Sequence, residues 1–260
     1  MYNYSSILVV SALFVSLLVA IEAGYRIGVN TQSKLEESSK IQVNALQASL
    51  LGVLALLIGF TFSLSLQRFD SRSEAVVNSA NAIGTAYLRA KLLSSSIRDD
   101  AQKLLQEYLD LRVQAGRVSL NRQDEREPLL VKAGQTLDEL WRYAQRSAEE
   151  DGGPVTSGLF VQSLNEVIDS YGSRDAVLNR HVPEVVFFLL FVTFLMTGAL
   201  VGYASGLSGN RVSFATYILV LLIVLLVFII IDLDRPRRGL ITVSQDSLTD
   251  LQATIEASKD

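Results

Sequence analysis

Ala45–Leu66 reads ALQASLLGVLALLIGFTFSLSL, an apolar run without a charged residue. A helix rises about 1.5 Å per residue, so about 20 such residues cross a hydrocarbon core roughly 30 Å thick. Three further runs have the same character: Ile7–Ile27, Val185–Leu207 and Ser213–Ile231. They stand two and two around the mostly polar stretch Arg68–Pro183. This pattern predicts an all-α integral membrane protein. Its four transmembrane helices would form two hairpins, with a helical cytosolic insert between spans two and three. The corresponding segments are 1–67, the first hairpin; 68–183, the insert; 184–232, the second hairpin; and 233–260, a cytosolic C-terminal tail.

Composition agrees. Apolar residues make up 49% of the 260, which is high for a soluble domain and fits a small multi-span protein. Cysteine is absent and His181 is the only histidine, so neither a disulfide framework nor a Cys/His metal cluster is expected. The net charge of −4 gives no basic footprint for nucleic acid. No phosphate-binding glycine loop, nucleophile elbow or suggestively spaced carboxylate pair occurs. The expectation is a protein without catalytic residues, cofactor or metal, whose first partner is the lipid bilayer. Met1–Ser6 carries no Lys or Arg, so the first run reads as a retained helix rather than a cleaved signal.

Lys/Arg bias near the span ends sets orientation. Arg68, Arg72, Arg174, Arg180, Arg235, Arg237 and Arg238 fall on one side of a four-span chain; Arg26, Lys34, Lys40 and Arg211 fall on the other. The insert and both termini are therefore expected in the cytoplasm.

Within the insert, apolar residues recur at helical spacing. The stripes are Val76, Ala80, Ile83, Tyr87 and Ala90; Ile97, Ala101, Leu104, Tyr108 and Leu111; Leu130, Ala133, Leu137, Trp141 and Ala144; and Phe160, Leu164, Ile168 and Tyr171. Ser94–Ser96 and then Asp99 and Asp100 suit a helix start, Gly116 a helix end, and Pro128 a second start. Gly152-Gly153-Pro154 marks a break. Glu149-Glu150-Asp151 reads as a solvated helix end, and His181 as an interfacial residue before Pro183. Only Gly84 and no proline interrupts Leu66–Leu93, so the second span either continues as one long helix or kinks near Ser71–Ser73.

The second span has one unusual face. Ala45, Ala48, Gly52, Leu56, Gly59, Ser63 and Gln67 share a stripe at 100° per residue, with Phe60 on its flank. Small, weakly polar residues suit close helix packing, for which Gly59 is a candidate. They equally suit a narrow pore wall without fixed charge, gated by dewetting. On the third span, Gly198, Gly202 and Gly206 make a repeated GxxxG groove into which another helix can pack. Beyond the fourth span, Asp232, Asp234 and Arg235 carry alternating charge, and Arg68 and Asp70 leave the second span at the same depth. These five residues are candidates for a charge network at the cytosolic mouth. Ordinary headgroup anchoring is the alternative.

Three segments carry a family resemblance: Gly59-Phe-Thr-Phe-Ser-Leu-Ser-Leu-Gln-Arg-Phe-Asp70, Asn81-Ala-Ile-Gly-Thr-Ala-Tyr-Leu-Arg89, and Asp232-Leu-Asp-Arg-Pro-Arg-Arg-Gly-Leu-Ile241 with Val243-Ser-Gln245. Together they resemble the bacterial bestrophin-like domain family, which is more remotely similar to the bestrophins. Bestrophins are pentameric anion channels with four spans per subunit. The resemblance implies residence in the bacterial inner membrane and a homo-oligomer, pentameric by analogy, that passes an inorganic anion such as chloride. It places the neck at Gly52, Leu56 and Phe60, on or beside the stripe read from periodicity. Two departures stand out. Gln67-Arg68-Phe69-Asp70 lacks the paired tryptophans that follow the arginine in bestrophins, and the dense acidic run of their calcium clasp is missing.

Two functions fit the sequence. One is an ion channel lined by the second span. The other is a non-conducting membrane scaffold or sensor whose cytosolic helices bind a partner. A central axis lined by the second span favours the first, and exposed apolar residues on the insert favour the second.

Overall fold

The computed structural model describes residues 5–34, 37–119, 122–235 and 240–258. Among these, eight α-helices and one short 3-10 turn account for the regular structure, with no strand. The helices are α1 (Ser6–Thr31), α2 (Glu37–Ala90), α3 (Ser95–Arg117), α4 (Gln123–Glu150), α5 (Ser157–Leu178), α6 (Glu184–Leu207), α7 (Phe214–Asp234) and α8 (Asp246–Ala257). Four of them, α1, α2, α6 and α7, are long and apolar enough to cross a membrane. Helical assignment in α2 runs without interruption through Ser71–Ser73. Its 54 residues correspond to roughly 80 Å, far more than one bilayer core.

The chain divides into two compact units: Met1–Gln67 with His181–Arg235, and Arg68–Arg180 with Pro236–Asp260. In the first, Val10, Leu13, Leu17 and Ile21 of α1 meet Phe187, Leu190 and Phe194 of α6, Val220, Val224 and Val227 of α7, and Leu54 of α2. The most extensive helix contact of α1 is with α6, which lies far away in sequence. Glycine makes this possible. A Cβ added at Gly202 would overlap the Ile21 carbonyl oxygen; one at Gly206 would overlap that of Tyr25. Reciprocally, a Cβ at Gly24 would overlap the Ala199 carbonyl oxygen and one at Gly28 that of Tyr203. Gly198 faces the side chain of Leu17, whose Cδ1 would lie 2.5 Å from an added Cβ. The two backbones touch along a double glycine groove, the arrangement that maximises van der Waals contact where water supplies no driving force.

In the second unit, Val76, Ala80, Ile83, Tyr87 and Ala90 of α2 pack with Ile97, Ala101, Leu105 and Tyr108 of α3. Ala133, Leu137, Leu140 and Ala144 of α4 complete that core with Phe160, Leu164 and Val167 of α5. Ile168, expected on the α5 stripe, is exposed, and Val167 takes its place. The segment beyond 233, read from sequence as a tail, contains α8, whose Leu248 and Ile255 are buried in the same core. Gln252 of α8 donates from Nε2 to Asp110 Oδ1 of α3 at 2.7 Å.

Two helix boundaries differ from expectation. Pro128 lies inside α4, which starts at Gln123 and carries Asp124 and Glu125 in its first turn. Acidic side chains at the positive end of the helix dipole favour that extra turn despite the missing Pro128 N–H. Glu150 is not merely a solvated helix end. Its Oε2 accepts from Ser94 Oγ at 2.9 Å and Ser96 Oγ at 2.8 Å, clasping the start of α3 to the end of α4. These bonds, Ser96 foremost and then Ser94, hold the Glu150 carboxyl below its ordinary value of 4.5. A carboxylate depressed in the folded state stabilises the fold above its unfolded pKa and loses that contribution as pH falls through the folded value. The Ser94→Ala/Ser96→Ala double variant is therefore expected to melt below the parent at pH 7 and to approach it well below pH 4.5. Parallel thermal melts check this; a gap that persists at low pH would contradict it.

Candidate functional site

The stripe on α2 is built by the membrane half of that helix. The face of α2 turned into the first unit carries Leu54 and Thr61, which are 2% and 1% exposed. The Thr61 hydroxyl is satisfied within its own helix, donating to the Leu57 carbonyl oxygen at 2.7 Å. The other face is bare. Ala45, Ala48, Gly52, Leu56, Gly59, Ser63 and Gln67 are all exposed, as is Phe60 on their flank. Leu56 and Phe60 keep 58% and 61% of their surface, and a Cβ at Gly52 or Gly59 would meet nothing within 4 Å. Among the described residues nothing lies against Gly59 where a Cβ would stand, unlike Gly198, Gly202 and Gly206. The difference is one of helix face: at about 100° per residue Gly59 lies well round the helix from Leu54 and Thr61.

The candidate mouth residues divide between the units. In the first unit Asp232, Asp234 and Arg235 are buried. Asp234 Oδ1 accepts from the Val182 backbone N–H at 3.0 Å, and His181 Nδ1 lies 3.7 Å from Asp234 Oδ2 and 3.2 Å from the Asp234 carbonyl oxygen. Asp234 at the end of α7 thus tethers the approach to α6. His181 was not singled out for this role by sequence, although a lone histidine before a span is a visible signal. In the second unit Arg68 is half-buried and Asp70 exposed. Arg237 and Arg238 lie outside the described residues. Among the described residues no three Asp, Glu or His side chains converge as a metal site would require.

Arg72, counted above only as a topological charge, is buried in the second unit. It donates from Nε to the Val177 carbonyl oxygen at 3.3 Å and from Nη2 to that of Arg180 at 2.8 Å. It thereby satisfies one carbonyl in the last turn of α5 and one just beyond that helix.

A family model for the bestrophin-like domain matches residues 9–248. The chain belongs to the bestrophin-like domain family. Solved structures agree at the level of fold. A bacterial bestrophin homologue from Klebsiella pneumoniae, carrying a point substitution, superposes with a TM-score of 0.65 at 16% identity, covering 95% of this chain and 97% of that one. A second variant of the Klebsiella pneumoniae homologue gives 0.62 at 18% identity over 95% of each chain. A further structure, described as a membrane protein, gives 0.60 at 17% identity over 95% and 97%. No curated protein matches the chain. The bestrophin-like fold therefore spans nearly all of this chain and gives it the four membrane-length helices described above.

Proposed function

We propose that this bestrophin-like protein is a homo-oligomeric anion channel whose pore wall is formed by Gly52, Leu56, Phe60, Ser63 and Gln67 of α2. One observation supports the reading: Gly52, Leu56, Phe60 and Ser63 stand exposed on one side of α2, opposite the buried Leu54 and Thr61, and an added Cβ at Gly52 would meet nothing within 4 Å. Copies arranged about an axis would turn the stripe inward, each contributing the same face. The pentameric count and the cytoplasmic placement of the second unit in a bacterial inner membrane follow the family resemblance.

Such a wall has no fixed charge. Leu56 and Phe60 would make a hydrophobic neck that closes by dewetting. Anion preference would come from weak interactions: the electropositive edge of the Phe60 ring, the Ser63 hydroxyl and the Gln67 amide. Removing side-chain bulk from the narrowest ring widens it and lowers the dewetting barrier. In liposomes holding the purified protein, Leu56→Ala and Phe60→Ala are therefore each expected to change chloride flux several-fold and to relax discrimination among halides. If both leave flux and ion preference as in the parent, the wall has been assigned to the wrong face.

The scaffold reading keeps one observation of its own. Val77, Leu88, Leu92 and Val131 are exposed on the second unit, where a protein partner could cover them. Absence of flux across a range of pH, calcium and voltage would favour that reading over conduction.

A further inference from the structure

Three arginines from three helices of the second unit line one small cavity: Arg112 of α3, Arg126 of α4 and Arg174 of α5. Tyr171 and Asp175 of α5 complete its polar lining. Such a concentration of one sign inside a helical core asks for an explanation, because each guanidinium brings five N–H donors and a charge that burial penalises.

The protein supplies only part of the compensation. Arg112 is 6% exposed, and its guanidinium lies over the Tyr171 ring at 4.6 Å and near the Tyr108 ring at 5.8 Å. These cation–π contacts offset some of the buried charge but accept no N–H in the plane of the fork. Arg112 Nε and Arg126 Nε are both buried and find no acceptor among the described residues. Neither residue makes an ion pair there. The Tyr108 hydroxyl beside Arg112 is buried without a partner as well. Arg174 is held by Gln245, whose Oε1 accepts from Arg174 Nη2; Gln245 also packs at Gly116, where a Cβ would lie 3.0 Å from that same oxygen. The sole carboxylate in the lining, Asp175, is exposed and therefore screened. Burial, and then the neighbouring charge of Arg112, push the Arg126 guanidinium below its ordinary value.

Charge, geometry and space agree on the complement. The cavity holds about 20 Å³, room for one water-sized atom. Exposed Asp175 and half-buried Arg126 bring it to the surface, so the rest of a larger ligand can stay outside. Guanidinium forks match the oxygens of phosphate and carboxylate better than they match a spherical ion. We infer that Arg112, Arg126 and Arg174 form an oxyanion-binding site of the phosphate class, with one ligand oxygen seated among the three guanidiniums. The site belongs to the second unit alone and does not depend on the channel reading.

Equilibrium dialysis of the purified full-length protein in detergent tests it, using radiolabelled inorganic phosphate at fixed ionic strength. One phosphate per chain is expected, displaced by unlabelled phosphate and unmoved by chloride at the same ionic strength. A phosphomonoester such as glycerol phosphate competes if the mouth admits a substituent, and fails to compete if the site takes free phosphate only. Arg126 is half-buried, so Arg126→Gln is tolerable to the fold; it should weaken binding by roughly 10- to 100-fold, the loss of hydrogen bonds to a charged group. Thermal melts follow the same ligands, since a ligand of the folded state raises the melting point saturably. No retained phosphate on the parent protein, equal displacement by chloride, or unchanged affinity in Arg126→Gln would each overturn the assignment.

Discussion

Gly202→Ala is expected to destabilise the membrane unit by about 3 kcal/mol, and Gly202→Leu to prevent recovery of monodisperse protein. The added Cβ meets backbone, not a side chain that can swing aside. It would overlap the Ile21 carbonyl oxygen and stand 2.8 Å from the Ile21 carbonyl carbon and 2.9 Å from the Tyr25 nitrogen. Relief requires α1 and α6 to move apart as rigid helices, which forfeits the contacts at Gly24, Gly28 and Gly206 together. Those contacts are the larger part of what holds the pair in lipid, where apolar side chains gain nothing by leaving the solvent. Gly52→Ala is the control. Its Cβ meets nothing within 4 Å, and alanine favours a helix over glycine by about 1 kcal/mol, so its melting point should equal or exceed the parent's. Melts in detergent with size-exclusion profiles decide the matter. If Gly202→Ala melts alongside Gly52→Ala, the close approach of α1 and α6 is wrong.

Arg72→Ala should cost about 3 kcal/mol in the second unit. Arg72 is 2% exposed, and it donates to the Val177 carbonyl in the last turn of α5 and to the Arg180 carbonyl just beyond it. Truncation removes a cation from the negative end of a helix dipole, takes the Arg72 donors from two carbonyls and opens a void where the buried stem lay. Arg72→Lys keeps the charge but loses the fork, so it should recover only part of the loss. Hydrogen exchange gives a local readout: amides of Val177 to Arg180 should exchange faster in Arg72→Ala than those of Ala133 to Ala144. Uniform exchange in both segments would show that Arg72 does not act on the end of α5.

The membrane-length helices were legible because a long charge-free run has few other uses. Three of them shifted by only a few residues at either end, whereas α2 begins earlier than its apolar run, at Glu37, and continues to Ala90, one of the two courses left open for it. The helical stripes of the second unit were legible for the same reason, periodicity, and failed where two neighbours compete, as Val167 and Ile168 do. α8 was missed because twelve residues ending in a charged tail carry too weak a pattern to distinguish from a solvated segment. The glycine groove of α6 was readable, but its counterpart was not read, although Gly24 and Gly28 stand at the same four-residue spacing. A motif in one chain advertises a contact without naming the partner. The three arginines left no signal at all: Arg112, Arg126 and Arg174 meet only because three helices converge. The α2 stripe was ambiguous in sequence between packing and pore. Among the described residues Gly52, Leu56, Gly59 and Ser63 of that stripe are exposed, which suits a surface shared with another copy, with lipid or with a conduction path.

The α1–α6 contact also has a history. Gly24 is made early in synthesis and Gly202 late, with α2 and all of Arg68–Arg180 translated between them. In the order of synthesis α1 therefore precedes the helix that fills its Gly24/Gly28 groove in the folded chain. A chain that ends before Glu184 lacks α6 altogether and leaves Gly24 and Gly28 without the backbone they meet in the full chain.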